Sequence, residues 1–187
     1  MSSKVAKLVS AYRQHLTVPW HAGLAAIQRV IFAVYDKTDE LRLRANVEEF
    51  ALVTQQASKK WLLLDLTNAF PEWMAAQEYR DAYFESPEDL AGYQTGELTE
   101  FVAALTAKLK SRISAEADAD TVVALMGVGT LFGLARVSSV VEGIKDAVEG
   151  RLLVFFPGEH HPENHTYRLL DARDGWNYLA VPLLAKD

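Results

Sequence analysis

Five side chains that can bind transition metals lie within one short stretch of the sequence: Glu159, His160, His161, Glu163 and His165. A catalytic zinc needs only three protein ligands and one open position, so this composition suits zinc or nickel. The spacing argues against a site, because no second ligand pair occurs elsewhere and no His-x-x-x-His pair lies on a helix. Polar residues collect in exposed connections. We therefore interpret the stretch as a loop between two strands and predict no metal.

Three glycines follow a predicted strand, where phosphate-binding glycines belong: Gly127, Gly129 and Gly133. They miss the dinucleotide fingerprint by one position, since its third glycine would replace Phe132, and no acid stands about 20 residues further on. A tight turn between strand and helix explains the glycines as well as a nucleotide or anion site does. The first predicted strand runs into Tyr35-Asp-Lys-Thr-Asp-Glu-Leu41, which has no glycine, so no P-loop forms there.

Three acids are expected at the carboxyl ends of parallel strands, where open α/β sheets bind their ligands: Asp36, Asp65 and Glu159. One hypothesis is an enzyme in which the glycines bind a nucleotide or anion and Asp36 or Glu159 binds a metal. For Asp36 and Asp65 we favour the alternative that each carboxylate caps the helix after its strand.

Short apolar runs define the elements that must position these residues. The runs at 29–35, 61–66, 122–126 and 152–156 are typical of strands buried on both faces. A helix that Thr38 can cap separates the first two, which predicts a right-handed βαβ unit and a parallel sheet. After the fourth run, strand-like segments at 166–170 and 178–184 flank a polar turn and predict an antiparallel edge hairpin.

Apolar residues at helical spacing predict the covering helices. An amphipathic pattern over 1–18 predicts an N-terminal helix, with Val5, Leu8, Val9, Tyr12 and Leu16 along its buried side. Further helices are expected near 70–81, from the capping box Ser86-Pro-Glu-Asp89, over 98–109 and over 134–148. The polar stretch 111–120 is the best linker candidate but is too short to divide the chain.

Length and composition set the class of protein. The chain has 187 residues, half of them hydrophobic, and no cysteine, which favours one sizeable core in a reducing compartment. We predict a single α/β domain over 1–187: a three-layer fold with a mainly parallel sheet, crossover helices and a C-terminal antiparallel edge hairpin. The N-terminal helix occupies 1–18, and the sheet with its covering helices occupies 26–185.

Charge and hydropathy limit the partners and the location. No run approaches the roughly 18 apolar residues of a membrane span, and no signal peptide is recognised. We expect a cytoplasmic protein that does not enter a membrane. The net charge of −6 disfavours binding to nucleic acid by the chain alone.

The sequence resembles the BrxB family of the BREX bacteriophage-exclusion systems over about residues 25–183. The segments that carry the resemblance are core and turn patterns: RVIFAVYDKTDELRLRANVEEF (29–50), WLLLDLTNAFPEWMAAQEYRDAYFESPEDL (61–90), VVALMGVGTLFGLARVSSVVEGI (122–144), RLLVFFPGE (151–159) and YRLLDARDGWNYLAVP (167–182). The resemblance implies a bacterial cytoplasmic component of a defence complex. Its partners there would be a DNA methyltransferase, a large ATPase and the phosphatase-like protein PglZ, which together mark host DNA and block phage replication. The family supplies no catalytic residues to carry over.

The resemblance and the residues together favour a non-catalytic adaptor. PglZ is the expected direct partner, with the ATPase and the methyltransferase as further ones, and the binding would support host DNA methylation and phage exclusion. We assign no catalytic residue, no cofactor and no metal ligand. Aromatic residues are enriched at the energetic centres of protein interfaces, and the partner contacts we select are Trp73, Tyr79 and Tyr83. The nucleotide- or anion-binding enzyme remains the alternative.

Overall fold

A computed structural model describes residues 3–21, 23–86, 98–171, 176–177 and 179–185, with residues 176–177 described as backbone. The strands are β1 Val30–Tyr35, β2 Lys60–Asp65, β3 Thr121–Met126, β4 Arg151–His161, β5 Thr166–Leu169, β6 Trp176–Asn177 and β7 Val181–Leu183. The helices are α1 Lys4–Leu16, α2 Glu40–Ala45, α3 Val47–Gln56, α4 Ala69–Ala75, α5 Arg80–Glu85, α6 Thr99–Glu116 and α7 Val137–Ile144. Short 3-10 helices occupy Ala26–Arg29, Lys37–Asp39, Val128–Leu131 and Lys145–Ala147.

A parallel sheet with the strand order β2-β3-β4-β1-β7 forms the centre of the molecule. Every residue of β1 and of β3 is buried, as expected for strands covered on both faces. The predicted α/β class and the mainly parallel sheet are confirmed. No helix in the described ranges is both long and apolar enough to cross a membrane.

Each face of the sheet has its own hydrophobic core. Helices α1, α2 and α3 cover the first face, where Phe50 packs against Phe155 of β4 with ring centroids 4.9 Å apart. Helices α4, α6 and α7 cover the second face, where Phe32 of β1 stacks on Phe156 at 5.3 Å. In this three-layer arrangement, the carboxyl ends of the parallel strands lie at one end of the sheet and their amino ends lie at the other.

Helix α1 is fixed to the first face by its predicted apolar side. All five residues expected along that side are buried: Val5, Leu8, Val9, Tyr12 and Leu16. The Tyr12 hydroxyl is 2.7 Å from the Thr54 hydroxyl, and Thr54 also donates to the Phe50 carbonyl at 2.8 Å. Burial raises the pKa of Tyr12 above its usual range. The N-terminal helix is thus an integral part of the layer over β1.

Two local predictions need correction. The stretch proposed as a linker at 111–120 continues α6 as far as Glu116, because Ile113 still lies on the buried side of that helix. The residue that caps the turn after β1 is Asp36 rather than Thr38, whose N–H donates to the Asp36 carboxylate. The capping box proposed at Ser86 extends into 87–89, outside the described residues.

Strand β4 is longer than its apolar run, which corrects the interpretation of 159–165 as a loop. It continues through Pro157 and Gly158 to His161, and β5 pairs antiparallel with this extension, so that Glu159 lies opposite Arg168. Gly158 is required there, since a Cβ would lie 2.0 Å from the Arg168 carbonyl oxygen. Only 162–165 form the turn between the two strands.

The C-terminal segment combines the predicted antiparallel pairing with an unpredicted parallel one. Strand β5 pairs antiparallel with β6, but β6 lies at 176–177, just before the segment 178–184 that was predicted as the second strand of the hairpin. Strand β7 does not extend this hairpin but pairs parallel with β1, with Phe32 opposite Pro182. The edge of β1 away from β4 needs a partner, and β7 provides it. A proline without an N–H suits this outer position.

Candidate functional site

The carboxyl ends of β1 and β2 carry the same Asp-x-Thr turn. Asp36 accepts hydrogen bonds from the N–H and hydroxyl of Thr38 at 2.9 and 2.6 Å. Asp65 accepts the equivalent pair from Thr67, with the N–H at 2.9 Å. The bonds from Thr38 lower the pKa of Asp36. The helix-capping interpretation is confirmed for Asp36, whose turn begins a 3-10 helix, while Asp65 holds its own turn before α4.

Arg44 of α2 connects the crossover helices to the end of β2. Its guanidinium donates to Glu40 at 2.7 Å and to the Thr67 hydroxyl at 2.8 Å, and it lies 3.4 Å from the second oxygen of Asp65. Tyr35 donates its hydroxyl hydrogen to Glu40, and burial raises its pKa well above the usual range. Both oxygens of Asp65 therefore interact with other groups of the protein, and these contacts stabilise the turn after β2.

Gly127 serves the packing of these turns. Its φ is +78°, and a Cβ there would lie 2.7 Å from the Thr67 hydroxyl oxygen and 2.9 Å from Asp65 Oδ1. The turn after Gly127 is a short 3-10 helix, and α7 begins only at Val137. A phosphate-binding turn of the dinucleotide type requires an α-helix that begins directly after the glycine. The 3-10 helix after Gly127 does not meet this requirement. The geometry favours the structural interpretation of the glycine motif.

A cleft of about 330 Å³ opens at the carboxyl ends of β1 and β4. The structure brings Asp36 and Glu159 together in its wall, with Asp39, His160 and Lys4 beside them, while Asp65 lies apart in the Arg44 network. Asp39 already pairs with Arg42 at 2.7 Å. The cleft has the position expected of a ligand site in an open α/β sheet, but the hydrogen bonds of Asp36 and Asp39 serve the protein itself.

The histidine stretch does not form a ligand set. Glu159 and His160 are successive residues of β4, so their side chains point to opposite faces. Glu159 lies 3.4 Å from His161 Nε2 and 3.8 Å from Arg168. His160 instead covers the Tyr167 ring at 4.7 Å, and burial, with the neighbouring histidines, lowers its pKa. Within the described ranges, no three His, Asp or Glu side chains are grouped so that they could hold a metal ion.

The three selected aromatic residues lie on α4 and α5 but differ in exposure. Trp73 is half-buried, with its ring 5.6 Å from that of Phe101 on α6. Tyr79 is 68% exposed at the start of α5, and Tyr83 is half-buried. Phe84, which was not among the selected contacts, is 70% exposed. Its place in the same aromatic stretch was the available signal.

Helix α5 carries aromatic residues, yet none of the residues of this helix is buried. Exposed acids occur in the same stretch at Glu78, Asp81 and Glu85, and the exposed Arg80 lies 3.7 Å from Asp81. We name Tyr79, Tyr83 and Phe84, together with these three acids, the α5 surface. It joins exposed rings to negative charge, a combination suited to a protein partner with apolar pockets and basic side chains.

Comparison with known proteins gives one match. The family model described as BREX protein BrxB matches residues 62–183, which include α4, α5 and the strands from β3 to β7. No curated protein and no solved structure matches the chain.

Proposed function

The chain belongs to the BrxB family, and on that premise we propose that it acts as a non-catalytic adaptor that binds other BREX proteins. Family membership supports a role in BREX phage defence, and the family has no known catalytic activity. PglZ is the proposed first partner, with the ATPase and the methyltransferase as further ones. The binding would support host DNA methylation and phage exclusion.

The observation that carries the proposal is the α5 surface. The large rings of Tyr79 and Phe84 are exposed to solvent, at the start and near the end of α5, and no residue of this helix is buried. Exposed apolar groups that occur together mark interaction sites more often than single ones do, and interface cores are enriched in tyrosine and phenylalanine. Docking of a partner would remove these rings from water, while Glu78, Asp81 and Glu85 would face its basic residues.

The contacts of Asp36 and Asp65, at the carboxyl ends of β1 and β2, support a structural rather than a catalytic role for these two residues. A reactive carboxylate in a cleft needs free oxygens within reach of a substrate. Asp65 gives its oxygens to Thr67 and Arg44, and Asp36 binds Thr38. These contacts fix the turns after β1 and β2.

The adaptor proposal is tested by co-expressing the chain with each BREX component and separating the complexes by size-exclusion chromatography at moderate salt. Co-elution with PglZ is the expected result. For the complex obtained, the dissociation constant is then measured for Tyr79→Ala and Phe84→Ala. Truncation of an interface anchor costs about 2 kcal/mol, so each variant should weaken binding roughly 30-fold.

Leu41→Ala is the matched control. Leu41 is 82% exposed, and it lies on α2, which covers the first face of the sheet. This variant should bind like the wild type. Failure to co-elute with any component, together with binding of duplex DNA by the chain alone at physiological ionic strength, would replace the adaptor proposal with a direct role at DNA. Losses as large for Leu41→Ala as for Phe84→Ala would remove the assignment of the α5 surface.

A further inference from the structure

Two arginines lie side by side where β1 and β4 begin. In the parallel pair, Val30 is opposite Leu152. Arg29 is the last residue of the 3-10 helix just before β1, and Arg151 is the first residue of β4. Alternation along β4 places Arg151 on the first face of the sheet with Leu153, and Arg29 is close enough for its charge to act on Arg151. This is the amino edge of the sheet, at the opposite end of the strands from the cleft beside Asp36.

Arg151 is buried, and it has no counter-ion among the residues that the structure describes. The residue is only 6% exposed, and its Nη1 donates to the Gly150 carbonyl at 3.2 Å. The guanidinium carbon lies 4.7 Å from the centre of the Trp20 ring. Within the part of the chain that the structure describes, no carboxylate lies within ion-pair distance of it. A buried charge is costly unless it is paired.

The neighbours of Arg151 add positive charge. Arg29 donates to the Glu149 carbonyl at 2.8 Å, but its Nε is buried and has no hydrogen-bond partner in the described ranges. Lys59 lies 4.4 Å from the same Trp20 ring and pairs with the exposed Asp120. Burial and the charge of Arg29 lower the pKa of Arg151. The group therefore has unused donors and repelling charges, which an anion would satisfy together.

We propose that Arg29 and Arg151 form a binding site for a small phosphate-class oxyanion, with Trp20 and Lys59 at its side. The planar guanidinium matches the oxygens of phosphate through paired N–H donors. Two adjacent arginines with a lysine nearby suit a doubly charged anion better than a single carboxylate. The anion is either free phosphate or the phosphate of a mononucleotide, which present the same oxygens.

A purely structural role makes a different prediction. If Trp20 and the Gly150 carbonyl fully stabilise Arg151, then phosphate has no specific effect, and Arg151→Met lowers the melting temperature in phosphate-free buffer. If Arg151 awaits an anion, Arg151→Met melts at or above the wild-type temperature in that buffer, because it removes an unpaired buried charge. The two roles thus differ in the sign of one measurement.

The test uses the full chain with inorganic phosphate, and with AMP in a parallel series, at ionic strength held constant with potassium chloride. Binding is followed by isothermal titration calorimetry and by the melting temperature. The wild type should bind saturably and melt at a higher temperature with phosphate. Arg151→Met and the half-buried Arg29→Gln should each weaken binding at least about tenfold, as expected for a lost charge-assisted hydrogen bond.

Arg112→Gln is the control, because Arg112 is an exposed arginine of α6 that pairs with Glu116 at 2.8 Å. It should bind phosphate like the wild type. Tighter binding of AMP than of phosphate would identify a nucleotide as the source of the anion, and equal or weaker binding would identify free phosphate. The proposal is overturned if phosphate has no saturable effect, if acetate binds equally well, or if Arg29→Gln binds like Arg112→Gln.

Discussion

Replacement of Gly127 by alanine should destabilise the protein more than the same replacement at Gly133. Both glycines have a left-handed backbone, with φ of +78° and +76°. They differ in their surroundings: a Cβ on Gly127 would lie 2.7 Å from Thr67 Oγ1, whereas nothing lies within 4 Å of a Cβ on Gly133. The pair therefore separates the conformational cost of a side chain from the cost of crowding the turn after β2.

The expected magnitudes follow from these two costs. A left-handed backbone costs a non-glycine residue about 1–2 kcal/mol, and alanine recovers about 0.4–1 kcal/mol by restricting the unfolded chain. Gly133→Ala should thus lose about 1 kcal/mol of unfolding free energy. Gly127→Ala adds a crowding cost of about 1–3 kcal/mol, because Thr67 must move while it is bound to Asp65 and Arg44. Its total loss should be about 2–4 kcal/mol.

Urea unfolding of both variants and the wild type measures these losses. The slope should stay constant and the midpoint should shift, which indicates a change in stability without a change in the surface exposed on unfolding. Gly23→Ala is a further control, since Gly23 has no positive φ and nothing lies within 4 Å of its Cβ position. It should raise the unfolding free energy by about 0.4–1 kcal/mol, because only the restriction of the unfolded chain acts there. Losses at Gly127 and Gly133 that agree within about 0.5 kcal/mol would refute the packing argument.

Two further predictions concern an acid and a histidine. Hydrogen bonds from Lys60 and Thr121 lower the pKa of Asp118 to about 2, from 3.8. The stability advantage of the wild type over Asp118→Asn should therefore be complete above about pH 4 and disappear between pH 3.8 and about 2. Urea unfolding across this pH range measures the advantage. An advantage that is independent of pH would contradict the prediction. His160→Ala should lose about 1 kcal/mol, since the ring covers Tyr167 at 4.7 Å. The exposed His21→Ala should lose less than about 0.5 kcal/mol in the same thermal melts, and equal losses would show that the ring contact does not matter.

The central sheet was predictable because its strands follow local patterns. The run Val30–Tyr35 is apolar at every position, and every position is buried. The parallel direction follows from the helix that separates it from β2. The buried side of α1 was also predicted residue by residue, since helical periodicity requires no knowledge of the partner surface.

The strand boundaries and positions that sequence reasoning missed depend on pairing between strands that are distant in the sequence. Pro157 and Gly158 signal the end of a strand locally, but β5 pairs with the residues that follow and continues β4 to His161. The parallel position of β7 likewise depends on the free edge of β1.

The candidate sites divide in the same way. The capping role of Asp36 followed from its place after a strand. Arg44 meets Asp65 only after α2 and β2 have packed, and Arg29 meets Arg151 only through the register of β1 and β4. No local pattern contains these pairs.

The strand order has a consequence for synthesis on the ribosome. Strand β1 is made early, but its partner β4 lies about 120 residues further along the chain. At roughly 5–20 residues per second, β1 waits roughly 6–24 s for that partner. Its apolar segment has the composition of an aggregation-prone strand, and α1, which packs on its first face, is made before it. We expect α1 to shelter the nascent strand until β4 emerges.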